Sequence, residues 1–280
     1  MKSRLAISAI GIPIILSFVW YGGFPFAIAL SIVCGLGSWE ISRMVIYRNY
    51  FSNPKVCFIF SFSVALVIYY LIQSSNQENI IGIFLIFFYV ISVIWLSTDI
   101  LKKSSIINMI LGVFSPVFYV SSLMAFAFLI WDMPYGKQWI IILLFSTWAI
   151  DSGSFIFGKL LGKTPFFPTV SPNKTLEGAL AGYLFGIITT LTGIYFLIPD
   201  YHSWITTDSV YLQYSSMILL GIILTISSQI GDLLASVIKR KAKFNSSSGL
   251  MKAHGGVLDR IDSIELNLVV LYYFVTWTVI

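Results

Sequence analysis

Asp232, Ser236, Lys239 and Arg240 stand at i, i+4, i+7 and i+8. On a continuous helix they share one stripe. A carboxylate, a hydroxyl and two cations so arranged could hold a metal ion and the phosphates it binds. A plainer reading competes: Lys239-Arg240-Lys241-Ala242-Lys243 is a juxtamembrane basic segment that touches anionic lipid. That reading leaves Asp232 unexplained. Further on, His254-Gly255-Gly256 precedes Asp259-Arg260-Ile261-Asp262. Paired glycines let a backbone approach phosphate oxygens closely. Asp259 and Asp262 are three apart and share a helix face, and Mg²⁺ is usually held by one or two carboxylates with phosphates and water. The competing reading is a glycine turn before an acidic helix N-terminus, where Asp is favoured anyway. His254 fits a phosphate contact and a turn residue equally.

A second cluster lies upstream. Asp151-Ser152-Gly153-Ser154 closes an otherwise apolar helix, so Asp151 is expected to face a polar cavity or a cation. Gly158-Lys159-Leu160-Leu161-Gly162-Lys163 contains fragments of a phosphate-binding loop. The full GxxxxGK[ST] pattern fails, because its first glycine would fall on Phe157. Ser171-Pro172-Asn173-Lys174 reads as a turn into a helix that Ser171 or Thr175 caps, with Lys174 free to meet a phosphate. The positive-inside bias alone accounts for Lys159 better than for Lys174.

These residues must be positioned by membrane helices. Of 280 residues, 58% are hydrophobic and 10% charged, and apolar runs of about twenty residues recur from end to end. The runs are too long for barrel strands and do not alternate with period two. The expected fold is an all-α, polytopic integral membrane helix bundle. About nine transmembrane helices are expected, near 5–21, 24–42, 56–73, 80–98, 107–131, 139–157, 177–198, 212–235 and 262–280. Pro116 is a candidate kink in the long fifth span. The N-terminal run lacks a small-residue cleavage site and is read as a retained span rather than a signal peptide. With the N-terminus cytoplasmic, every one of the 17 Lys and Arg except Lys137 falls on or beside the cytoplasmic side. The loops 158–176 and 236–261 then share that face. The chain reads as one membrane domain, with N-terminal helices over 1–135 and a catalytic region over 136–280.

Cys34 and Cys57 have no metal or disulfide spacing and read as buried small side chains. The charge of +5 follows topology and gives no reason to expect nucleic acid. Gly178, Gly182 and Gly186 form a small-residue face suited to helix packing or dimerisation. Glu40, near the end of the second span, reads as an ordinary interfacial acid. Glu265, inside the last span, is expected to face the bundle.

The two clusters carry a family resemblance. The C-terminal one resembles the signature S-x-x-K-R, spacer, H-G-G-x-x-D-R-x-D of the phosphatidate cytidylyltransferases, also called CDP-diacylglycerol synthases. Here it is Ser236, Lys239, Arg240, His254, Gly255, Gly256, Asp259, Arg260 and Asp262, preceded by Gln229-Ile230-Gly231-Asp232. The upstream block is similar to that family's D-[ST]-G-x-x-x-x-G-K and S-P-x-K-T-x-E-G. It is found as Asp151, Ser152, Gly153, Gly158, Lys159, Ser171, Pro172, Lys174, Thr175, Glu177 and Gly178. The resemblance covers roughly 145–265 by motif and the whole length by hydropathy.

The resemblance implies transfer of a cytidylyl group from CTP to phosphatidic acid, giving CDP-diacylglycerol and pyrophosphate. It implies Asp232 and Asp259 as holders of a divalent metal, Mg²⁺, with a second metal ion left open. Ser236, Lys239, Arg240 and His254 are then catalytic beside them. Asp151, Lys159, Ser171, Lys174, Glu177, Gly255, Gly256, Arg260 and Asp262 shape the cavity or bind substrate. Asp232 and Asp259 are expected to converge at the cytoplasmic lipid boundary. A bacterial inner membrane, a cytoplasm-facing site and a homodimer are the accompanying expectations.

The chain departs from the family at Asn245-Ser246, where Lys-Asp is usual, and at Lys252-Ala253, where Pro-Gly is usual. A divergent active enzyme is favoured, and a paralogue with another lipid phosphate acceptor or nucleotide is the alternative. A transporter would show inverted repeats meeting at mid-membrane. No such repeat is evident, and the acids gather near one edge.

Overall fold

Each apolar run folds as a helix, because in hydrocarbon a helix satisfies its own N–H and C=O groups. The computed structural model describes residues 2–74, 78–98, 106–198, 210–244 and 256–278. Its helices are α1 (Lys2–Tyr21), α2 (Gly23–Tyr47), α3 (Pro54–Ser74), α4 (Glu78–Ser97), α5 (Ile106–Met124) and α6 (Phe126–Asp132). They continue with α7 (Gly136–Leu161), α8 (Leu176–Leu197), α9 (Val210–Lys241) and α10 (Leu258–Thr278). A short antiparallel pair, β1 (Pro165–Phe167) and β2 (Ser171–Thr175), lies between α7 and α8.

Seven stretches among the described residues are long and apolar enough to cross a membrane: Gly23–Tyr47, Pro54–Ser74, Ile80–Ser97, Ile106–Asp132, Gly136–Leu161, Leu176–Leu197 and Ser215–Lys241. These coincide with seven of the expected spans. The first and last expected spans are helical as well, but fall short of that measure. The described apolar part of α1 is only Gly11–Tyr21. Helix α10 carries Asp259, Arg260, Asp262 and Glu265 in its first turns. Pro116 lies inside α5, and the interruption falls later, at Ala125. There Phe128 N–H bonds the Ala125 carbonyl at 3.0 Å, a tightened turn before α6.

The chain forms two compact units that interleave along the sequence. One comprises Met1–Trp131 with Val237–Ile261. Within it α2 packs on α1, α3 and α5, and α5 also packs on α3 and α4. Side-chain hydrogen bonds tie these helices. Ser61 and Ser121 hydroxyls lie 2.6 Å apart, and Trp95 Nε1 donates to Asn108 Oδ1 at 2.9 Å. Arg48 donates to the carbonyls of Leu96 and Thr98, closing the end of α4. Tyr119, Phe126, Ile41, Met44 and Leu129 are fully buried. Cys34 and Cys57 are buried, as expected.

The other unit comprises Asp132–Ser236 with Asp262–Ile280. Its main contact is α7 on α8. The glycine face of α8 is consumed here. A Cβ at Gly178 would stand 2.6 Å from the Ser154 carbonyl, at Gly182 2.5 Å from Ser154 Oγ, and at Gly186 2.3 Å from Thr225 Oγ1. The stripe therefore lets α7 and α9 approach α8 within one chain, and the face formed by these three glycines is filled by that packing. Polar side chains add cross-links, with Asn267 Nδ2 donating to Thr147 Oγ1 at 2.8 Å while its Oδ1 accepts from Ser227.

Overpacking this seam is expected to be costly. Gly186→Leu should destabilise the protein by about 1–3 kcal/mol, read as a lower thermal unfolding midpoint in lipid nanodiscs. Gly11→Ala, where nothing lies within 4 Å of the added Cβ, should leave the midpoint unchanged or slightly raised.

Candidate active site

The sequence-derived residues fall into a cluster in each unit. Helix α9 runs unbroken to Lys241; Asp232 and Ser236 lie on its part in the second unit, Lys239 and Arg240 on its part in the first. Helix α7 likewise runs on through Asp151 to Leu161, a little past the expected end at 157. Asp151 is exposed and lies within electrostatic reach of both Asp232 and Lys174. The Ser263 hydroxyl of α10 stands 3.5 Å from Asp151 Oδ1. Lys174 reaches Asp232 directly, Nζ to Oδ2 at 2.6 Å. Two carboxylates and an ammonium from α7, α9 and β2 thus come together, although 81 positions separate Asp151 from Asp232 in the chain (232 − 151).

The β-hairpin is what delivers Lys174. Strand β2 pairs with β1, and Leu176 N–H bonds the Thr164 carbonyl at 2.9 Å. Thr175 caps α8, its hydroxyl accepting from Gly178 N–H at 3.2 Å, as the sequence suggested. Glu177 accepts from Thr164 N–H at 3.1 and 3.3 Å. Glu177, expected to shape the cavity or bind nucleotide, here ties the base of the hairpin to the first turn of α8. Ser171 opens β2, half-buried, facing Phe167 in the register. Lys159 is exposed in the last turn of α7, where a cation suits the helix dipole. Asp262 is buried, and its Oδ1 accepts from Ser263 N–H at 2.9 Å. Its carbonyl presses on Gly231, where a Cβ would stand at 2.2 Å.

The first unit holds Lys239 and Asp259, joined Nζ to Oδ1 at 2.7 Å. Asp259 Oδ2 also accepts from Gly256 N–H at 3.0 Å. Ser236 is half-buried, Lys239 buried, and Arg240 and Arg260 exposed. His254 and Gly255 lie outside the described residues, as do Asn245, Ser246, Lys252 and Ala253. Asp232 and Asp259 belong to different units.

Among the described residues no group of three or more His, Cys, Asp or Glu gathers as a metal cage. The donors present are carboxylate oxygens beside ammonium groups, the hard, sparse set that suits Mg²⁺ completed by phosphates and water.

Three features differ from or go beyond what the spacing suggests. Lys174 pairs with Asp232, and Ser171-Pro172-Asn173-Lys174, expected as a turn into a helix, instead forms β2 against β1. Glu40, expected to be an ordinary interfacial acid, is 2% exposed and bonded to the start of α10. The available signal for Glu40 was its charge inside an apolar span. Glu265 does face the bundle, at 1% exposure.

The two lysine pairs differ in shielding. Side-chain exposures are 26% and 34% for Lys174 and Asp232, against 10% and 20% for Lys239 and Asp259. Lys174→Met should therefore cost at most about 1 kcal/mol of stability. Lys239→Met, which strips a charge partner from a better-buried carboxylate, should cost about 1–3 kcal/mol. Thermal unfolding of the two variants side by side checks the order.

Residues 2–278 match the model of the cytidylyltransferase family. The chain is similar to phosphatidate cytidylyltransferases of Staphylococcus haemolyticus (strain JCSC1435), 34% identical over 128 residues, and Staphylococcus aureus (strain COL), 35% over 130 residues. That of Staphylococcus epidermidis (strain ATCC 12228 / FDA PCI 1200) is 34% identical over 128 residues. Each match covers 46% of this chain and 45% of the relative, so the chain spans about half the length of these relatives. The family match runs through every described helix and both charged clusters, and on it the chain belongs to the cytidylyltransferase family.

Proposed function

We propose that the protein transfers the cytidylyl group of CTP to phosphatidic acid in the membrane. An oxygen of the lipid phosphate attacks the α-phosphorus of CTP, the bond to the β-phosphate oxygen breaks, and pyrophosphate leaves with its electron pair. CDP-diacylglycerol remains in the bilayer. The observation that carries this reading is the meeting of Lys174 with Asp232, with Asp151 beside them. Residues from both halves of a motif set similar to the phosphatidate cytidylyltransferases come together, Asp151 on α7, Lys174 on β2 and Asp232 on α9.

Two polyanions must approach, and their mutual repulsion is the first barrier. Lys174, Lys239, Arg240 and Arg260 supply positive charge for the phosphates of nucleotide and lipid. Asp232 and Asp259 are the carboxylates proposed to hold Mg²⁺, which when bound neutralises phosphate charge and polarises the phosphorus. Ser236 and His254 are proposed as catalytic contacts beside them. Asp151, Lys159, Ser171, Gly255, Gly256 and Asp262 are proposed to shape the cavity and bind substrate. Glu177 acts on this reading by holding the hairpin that carries Lys174. The phosphate nucleophile is already ionised near neutral pH and needs no strong base.

About nine spans with a cytoplasmic N-terminus put the basic loops on the cytoplasmic side of a bacterial inner membrane. A homodimer rests on the family resemblance, since Gly178, Gly182 and Gly186 are spent inside the unit. A second acceptor reading, another lipid phosphate, is motivated by Asn245-Ser246 and Lys252-Ala253.

The test uses the purified full chain, phosphatidic acid vesicles, labelled CTP and Mg²⁺. Wild type should form CDP-lipid, and Asp232→Asn and Asp259→Asn should each lose about 10²-fold or more in turnover. Equal turnover in all three removes the site assignment. Transfer only to a different lipid phosphate selects the second acceptor.

A further inference from the structure

Glu40 lies outside the residues given a role above. Its side chain sits in α2 and is 2% exposed. Oε1 accepts from Val257 N–H at 3.0 Å and Oε2 from Leu258 N–H at 2.9 Å. These are amides at the start of α10, which the helix itself cannot satisfy. The adjacent amide, Gly256 N–H, goes to Asp259 Oδ2 at 3.0 Å, while Asp259 Oδ1 meets Lys239. Three successive amides are thus held by two carboxylates, one of them 217 positions from its partner.

A carboxylate at a helix N-terminus also faces the positive end of the helix dipole, so the contact is charge-matched as well as hydrogen-bonded. Two neighbouring contacts make the seat specific. One turn before Glu40, a Cβ on Gly37 would stand 3.2 Å from Ile261 Cδ1, so the first turn of α10 lies close against α2. Two turns after Glu40, the Tyr47 ring meets Phe244 edge-on at 4.7 Å between centroids. Phe244 N–H in turn bonds the Lys239 carbonyl at 2.9 Å, fixing the end of α9 that presents Lys239. Helix α2 therefore holds both the end of α9 and the start of α10.

We infer that Glu40 is a positioning residue: it sets the height and rotation of the first turn of α10, and so the aim of the Asp259 carboxylate. Each residue turns a helix by about 100°, so a slip of one residue at this end would swing Asp259 away from Lys239. Two amides gripped by one carboxylate forbid that slip. The inference rests on the proposed function for its consequence, since Asp259 is taken there as a cation-holding group.

The test compares wild type, Glu40→Gln, Glu40→Ala and, as a control on removing a buried acid, Glu265→Gln, all as full chains in nanodiscs. Hydrogen exchange at the Val257 and Leu258 amides, without metal or nucleotide, should speed up about tenfold or more in Glu40→Ala, less in Glu40→Gln, and not in Glu265→Gln. The Mg²⁺ concentration that half-supports CTP binding should rise about tenfold in Glu40→Ala, with Glu40→Gln between it and wild type. Unchanged exchange at those two amides in Glu40→Ala overturns the contact. Faster exchange with an unaltered Mg²⁺ midpoint overturns the positioning role. Mg²⁺-dependent CTP binding without transfer to phosphatidic acid would end the acceptor reading instead, and leave this inference to be decided by the same two measurements.

Discussion

A carboxylate that leaves water must be met by donors, and this constraint organises both charged clusters. Moving an ionised carboxyl out of water costs several kcal/mol even after relaxation. A hydrogen bond to a charged group returns about 1.5–3 kcal/mol, so a deeply buried acid stays ionised only with two or more donors. Glu40, at 2% exposure, has two backbone amides. Asp259, with its side chain 20% exposed, has the Lys239 ammonium and the Gly256 amide. Asp232, at 34%, meets the Lys174 ammonium and keeps more contact with solvent.

Those donors arrive from distant chain segments, which demands close helix packing. In the unit built from α7, α8 and α9, the closeness comes from glycine. Gly178, Gly182 and Gly186 admit the backbone and hydroxyls of neighbouring helices to distances that a Cβ would forbid. Hydrocarbon supplies no hydrophobic drive between membrane helices, so close van der Waals contact and polar cross-links such as Ser227–Asn267–Thr147 hold them instead. With its spacing set, α8 starts at a Thr175 cap, and the hairpin before it is fastened by Glu177. Lys174 is thereby carried on a short strand tied at its base rather than on a free loop.

The same arrangement suits chemistry between anions. On the proposed function, the lysines that neutralise these aspartates would also serve as cations for phosphate, and the paired carboxylates would be the groups for which a divalent ion competes. Membership of the cytidylyltransferase family across residues 2–278 accords with an apparatus of acids and bases on membrane helices. The basic stretch at the end of α9 is accordingly more than a lipid-touching tail: Lys239 is buried and paired, while Arg240 is exposed.

The sequence by itself determined the helical membrane class, because apolar runs of that length leave the backbone no other way to satisfy itself. It also determined the continuity of α9 and the family, and narrowed the cap of α8 to Ser171 or Thr175, since these depend on local spacing and residue type. It did not disclose that Lys174 belongs to Asp232, that Glu40 belongs to Val257 and Leu258, or that the glycine face turns inward. Nor did it show that residues 165–175 pair as strands, or that the break near the fifth span falls at Ala125. Those choices were made by the tertiary structure. A buried charge takes whichever donor packing brings within about 3 Å, and separation along the chain carries no record of that distance.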